Sequence, residues 1–269
     1  MDKTTEGFTG ASISAEEDPK LPPSGAGPHN QTGRFRTSKG EGLFVDSKKA
    51  FTEEGFQEEG FLFDPANYSE GEHDEMLKEF FETSAPSTAK RSDGIRWIRV
   101  ISASYKEEGL TNEEELTTDW KKLKNSGKMI DFDAIKQLAI RHRYLGGNWF
   151  SFFDTGEEID NAWEKIAKAT VRDELGTHAK VTPCEDTKEA KARKRHVISV
   201  YTKDFTDKDD VMKVEAKLRK LGFRKPIDFK PRVYATLGIY SKNQWGLSPS
   251  IYVSNWDPKK VAVNIQDRT

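Results

Sequence analysis

The chain has 269 residues, a third of them charged (33%), a formal net charge of −2 and a mean hydropathy of −0.79. No apolar run reaches the roughly 18 residues a membrane span needs, and the opening residues, MDKTTEGFTG, lack the apolar core of a secretory signal. Cys184 is the single cysteine, which excludes an intrachain disulfide and fits a reducing compartment, cytoplasm or nucleus; between Pro183 and Glu185 it reads as a loop thiol.

The charge is unevenly spread. Residues 1–90 hold 9 Lys/Arg against 18 Asp/Glu, while residues 91–269 hold 34 against 27. A basic domain behind an acidic arm suggests a domain that meets anions. The arm itself reads first as a solubilising tail, and second as a segment able to fold back and screen that basic surface.

Residues 1–42 are rich in Gly, Ser, Thr, Pro and charge. Such a segment buries too little apolar surface to offset its ordering entropy, so a disordered arm is expected. Residues 43–90 form an acidic extension and linker with Phe44, Phe51, Phe56, Phe61, Phe63 and Tyr68 spaced through it. Ser69 and Glu72 make a capping box ahead of a helix whose face carries Met76, Leu77, Phe80 and Phe81. That face either packs on the chain's own domain or docks on a partner. TSAPSTAKRSDG (83–94) reads as a linker.

From residue 91 to 257 strands and amphipathic helices alternate. Residues 95–102 predict a strand, and Glu113 to Asn125 a helix with Leu116, Trp120 and Leu123 inward. Asp131 caps a helix carrying Phe132, Ile135, Leu138 and Ala139. Residues 147–153 predict a buried strand, followed by a helix with the stripe Ile159, Trp163, Ile166, Ala167 and Val171. Residues 196–202 predict a strand. Asp207 then caps a helix with Val211, Val214, Leu218 and Leu221 inward and Gly222 at its end. Strands are expected at 233–240 and 250–254 around a turn, and residues 258–269 read as a frayed tail. Both element types in one domain point to the α+β class, a sheet covered on one face by helices.

No nucleophile elbow, phosphate loop or dinucleotide fingerprint is present, and His29, His73, His142, His178 and His196 have no metal-ligand spacing. No metal or cofactor is expected. Binding chemistry is better represented. Lys188, Lys191, Arg193, Lys194 and Arg195 cluster before a strand and can neutralise phosphates. Tyr105, Tyr144, Tyr234, Tyr240 and Trp245 lie near predicted loops or strand edges, some beside cations, which is how single-stranded nucleotides are held. Trp97, Trp149 and Trp163 sit in the most regular apolar patterns and are assigned to the core.

GNWFSFF, EEIDNAWEKIAKA, AKV, HVISVYTKDFTDKDDV and FKPRVYATLGIYSKNQWGLSPSIY resemble the basophilic leukaemia-expressed protein family, from about Trp97 to Ser254. The fold of that family resembles translation initiation factor 4E. The resemblance therefore implies a curved antiparallel sheet with helices packed on one face. Gly147-Asn148-Trp149 is similar to the Gly-Arg-Trp that opens a central strand of the factor, and Ile159-Asp160 with Trp163 to its Leu-Asp-x-x-Trp. VISVYT is similar to the strand ending Ile-Trp-Thr, which puts Tyr201 in place of a tryptophan at the rim of the cap site. Arg193 and Arg195 fall near the basic residues that hold the cap triphosphate. The Met-Trp-Glu segment of the factor has no counterpart between Phe132 and Leu145, and the loop after the first strand carries Tyr105 and no tryptophan before Trp120.

The expected function is a non-catalytic cytoplasmic module that binds a nucleotide or an RNA end. Arg193, Lys194 and Arg195 would hold phosphates, and Tyr105, Tyr144 or Tyr201 would stack. One alternative is a protein-interaction adaptor working through residues 43–90. Another is an enzyme that processes a nucleotide or phosphoester, which none of these signals requires.

Overall fold

The computed structural model describes residues 60–106, 112–187 and 195–269. The arm at 1–42, the first part of the extension at 43–59, and Arg193 and Lys194 lie outside the described residues. Eight strands make one sheet: β1 (Gly60–Phe63), β2 (Trp97–Ile101), β3 (Gly147–Asp154), β4 (His178–Val181), β5 (Arg195–Thr202), β6 (Ile227–Pro231), β7 (Tyr252–Asp257) and β8 (Ala262–Asp267). Their order is β1-β2-β4-β5-β3-β6-β7-β8, with β1 and β8 at the edges. Neighbours are antiparallel except β1 and β2, which run parallel.

The helices are α1 (His73–Ser84), α2 (Glu113–Asn125), α3 (Phe132–Arg141), α4 (Glu157–Val171), α5 (Lys208–Lys220) and the short α6 (Arg232–Thr236). Their starts follow from capping chemistry. Asn112, Asp131 and Asp207 each accept a bond from a backbone N–H in the first turn, at 3.0, 2.9 and 3.1 Å. Gly222 ends α5 at φ 95°, a left-handed conformation that disfavours a side chain.

Helices α1, α4 and α5 pack on one face of the sheet. Alternate strand residues point at them: Ile98 and Val100, Ala179 and Val181, Ile198 and Val200, Trp149, Phe229. All are buried, the Ile, Val and Phe side chains each contributing on the order of 1.5–3 kcal/mol through removal from water. The Trp149 indole donates to the Val211 carbonyl at 2.8 Å, fixing α5 over β3. Helices α2 and α3 pack together beside the segment leaving β5, where Phe132 meets Phe205. No long helix packs on the opposite face among the described residues.

The expected boundary at residue 91 moves. Phe63 and Phe80 meet edge to face, 5.6 Å between centroids, and both are buried with Leu77 in the common core. The capping box of Ser69 and Glu72 forms, and the amphipathic helix packs on the chain's own domain. The segment read as a linker is fastened as well: Ser87 bonds Asp160 on α4, and Lys90 bridges to Cys184. Residues 262–267, expected to fray, form β8 along β7.

A second difference lies at 227–240. The strand is Ile227–Pro231, and the expected strand at 233–240 begins as α6. Consecutive Val233 and Tyr234 are both buried, which a strand with one covered face does not allow. Carbonyls of Val233, Tyr234 and Ala235 accept from Leu237, Ile239 and Gly238, closing the helix.

Candidate functional site

Register defines the face away from α1, α4 and α5. Arg99 is opposite Lys180, Ile101 opposite His178, His178 opposite Tyr201, and Tyr201 opposite Asn148, which is opposite Lys230. Period two then puts Trp97, Arg99, His178, Lys180, Tyr201, Asn148, Phe150, Asp228 and Lys230 on this one face. An aromatic and cationic row crosses five strands.

His178 is its centre. The imidazole lies flat on Tyr201, with centroids 4.0 Å apart and planes 13° apart, and Tyr105 meets its edge at 5.9 Å. The close approach is possible because residue 176 is glycine: a Cβ there would stand 2.3 Å from the Tyr201 carbonyl oxygen. Thr177 N–H then donates to that carbonyl at 3.0 Å, setting His178 over the ring.

His178 is only 5% exposed. Its Nδ1 lies 3.1 Å from Thr177 Oγ1, and its Nε2 is buried with no hydrogen-bond partner among the described residues. Burial, then the charges of Arg99, Lys180 and Arg232, hold its pKa well below the usual imidazole value, so the ring is neutral near pH 7. A buried neutral ring surrounded by three cations makes a positive field that favours an anion.

Trp97 and Tyr201 of the row, and Tyr144 and Tyr240 beside it, are paired with cations. Lys180 Nζ is 4.4 Å from the centroid of Trp97 and 5.4 Å from that of Tyr201. Arg232 lies over Tyr144 at 4.9 Å, and Lys230 over Tyr240 at 4.4 Å. The acid of the row, Asp228, accepts from Ser250 Oγ at 3.2 Å, and burial raises its carboxyl above the usual range.

The sequence-derived residues separate into groups. Tyr105 and Tyr201, 96 positions apart, both meet His178. Tyr144 is 2% exposed, its hydroxyl 2.9 Å from Thr236 Oγ1, so it presents no free face and supports Arg232 instead. Arg195 stands at the other end of β5 from Tyr201, about 20 Å along the strand. There it lies 3.7 Å from Asp154 and 5.3 Å from the centroid of Phe152. Trp97, expected in the core, is half-buried and belongs to this face. Its strand partner at i+2, Arg99, is the sequence signal for that. His178, Lys180 and Arg232 gave no comparable signal: each is a single charged or titratable residue in a short element.

Among the described residues no group of three His, Cys, Asp or Glu side chains could hold a metal ion, and no helix is long and apolar enough to cross a membrane.

These features define an α+β protein with a basic, aromatic face on the side of the sheet away from its main helices. A family model described as "Basophilic leukemia-expressed protein Bles03" matches residues 103–238, half of the chain, and the chain belongs to that family. The matched span holds Tyr105, His178, Lys180, Tyr201, Lys230 and Arg232; Trp97 and Arg99 precede it.

Among solved structures the chain is similar to C. elegans eIF4E-3 in complex with the 4E-binding protein Mextli: 16% identity, 34% of this chain and 55% of that one, TM-score 0.28. It is similar to Schistosome eIF4E complexed with m7GpppG and 4E-BP: 14% identity, 40% and 58% coverage, TM-score 0.30. It is also similar to Schistosome eIF4E complexed with m7GpppA and 4E-BP: 11% identity, 59% and 94% coverage, TM-score 0.32. The chain spans little more than half the length of the first two. What those proteins bind is a property of those proteins.

Proposed function

We propose that the His178 face binds a nucleotide or an RNA end, and that the chain acts as a non-catalytic module in the cytoplasm. The observation that carries this reading is the stack of His178 on Tyr201, with Tyr105 at its edge and Arg99, Lys180 and Arg232 around it. Rings with nearby cations serve single-stranded nucleic acid, the cations drawing the phosphates and the rings meeting the bases. Arg193, Lys194 and Arg195 take a secondary role in this proposal. A strand running along β5 from Tyr201 would reach Arg195 about 20 Å away. The adaptor reading loses its helix, because Leu77 and Phe80 on α1 are already buried in the domain; residues 43–59 remain to it.

The test is titration of the full chain with a short single-stranded RNA bearing a 5′-phosphate, followed by tryptophan fluorescence at two salt concentrations. Saturable binding that weakens with salt is expected. Lys180→Glu and Lys230→Glu together should weaken it by at least about tenfold and flatten its salt dependence. Unchanged affinity in that double variant, with an unchanged thermal midpoint, contradicts the assignment.

A further inference from the structure

A positively charged, methylated base is recognised by placing it against the negative face of an aromatic ring. At Trp97 and Tyr201, the rings of this sheet face nearest His178, the protein's own Lys180 holds such a position. Arg232 over the buried Tyr144 and Lys230 over Tyr240 add two further cations beside this face. The His178 imidazole covers a face of Tyr201 at 4.0 Å. A cationic base stacked on Trp97 or Tyr201 would sit beside Lys180 and among Arg99, Lys180 and Arg232, the charges that bear on His178. A phosphate meets the same field with the opposite sign. The acids of this face do not reverse it: Asp228 is engaged by Ser250, Asp154 lies at the far end, 3.7 Å from Arg195, and Asp257 ends β7, 3.9 Å from Lys260.

We infer that the His178 site selects phosphate-bearing ligands with an uncharged ring and rejects a positively charged, methylated base. The inference rests on reading this face as a nucleotide-end site. It adds the sign of the charge that the site accepts at the ring. Lys180 is the discriminating residue, because it lies over two rings of the row, Trp97 and Tyr201. Phosphates are drawn by Lys180, Arg99 and Arg232, while a neutral base finds its contacts along the half-buried Phe150 and Asn148.

The test compares GTP, 7-methyl-GTP and inorganic tripolyphosphate on the full chain in metal-free buffer by isothermal titration calorimetry. GTP and tripolyphosphate should bind, and 7-methyl-GTP should bind at least about tenfold more weakly than GTP. Lys180→Met should lower the affinity for GTP and narrow the gap between the two nucleotides, since it removes the cation that occupies the ring faces. Binding of 7-methyl-GTP as tight as or tighter than GTP overturns the inference while the nucleotide-end reading stands. No binding of GTP or tripolyphosphate overturns both. The comparison on the native chain depends on no variant.

Discussion

The sheet carries two buried histidines, on neighbouring strands and opposite faces. His196 faces the helices and is 1% exposed; its Nδ1 lies 2.8 Å from the Thr182 carbonyl and its Nε2 2.9 Å from Thr155 Oγ1. His178 faces the other way and is 5% exposed, with one nitrogen near Thr177 and the other without a partner among the described residues. Equal burial thus hides unequal chemistry. A polar atom that folding leaves unsatisfied carries a desolvation cost that a ligand can relieve. The difference teaches that on this fold a buried titratable group is part of the scaffold on one face and a candidate contact on the other.

The helix-covered side holds one buried ion pair whose groups are closely hydrogen-bonded. Arg219 on α5 is 6% exposed and donates to Glu215, to the carbonyls of Phe223, Lys225 and Ser254, and to Ser254 Oγ, at 2.7–3.0 Å. Ser254 Oγ in turn donates to the same Glu215 oxygen at 2.6 Å. The network ties the end of α5 to the loop before β6 and to β7. Arg219→Ala leaves Glu215 buried without its cation and should destabilise the fold by about 3–5 kcal/mol in urea unfolding. A loss below about 1 kcal/mol would mean that this side tolerates an unsatisfied buried group as the other does, and the contrast would fail.

A smaller effect sharpens the comparison from the other side. Burial, then the neighbouring cations, lower the pKa of His178 in the folded state. Above about pH 6.5 the ring is neutral in both folded and unfolded chains and has no effect on stability. As pH falls below that value the unfolded chain takes up a proton that the folded chain refuses, so stability declines by at most about 1.4 kcal/mol per pH unit, until the folded pKa is reached. His178→Gln should remove this part of the slope between pH 6.5 and 5, as measured by urea unfolding across that range. An unchanged slope would show that His178 titrates as an ordinary histidine.

Much of the scaffold was legible in the sequence, because capping and periodicity act locally. Asp131 and Asp207 mark their helices by bonding the first turn, and all five residues of the α4 stripe, Ile159, Trp163, Ile166, Ala167 and Val171, are buried. The misses have equally local causes. Strands β4 and β6 alternate apolar residues with Lys180, Asp228 and Lys230 on the uncovered face, but at four and five residues they are too short for that alternation to stand out. Strand β1 is hidden in an acidic background and owes its place to parallel pairing with β2, a long-range contact. The site was legible in part: Tyr105 and Tyr201 were visible as rings, but their meeting at His178 depends on β4 lying between β2 and β5.

The most direct measurement uses the two histidines as probe and control. Imidazole 1H–15N spectra of the full chain are recorded during titration with a short 5′-phosphorylated RNA. The account predicts saturable shifts for the His178 nitrogens while those of His196 stay in place. Movement of His196 with His178 unmoved, or no movement of His178 at saturating RNA, would contradict it.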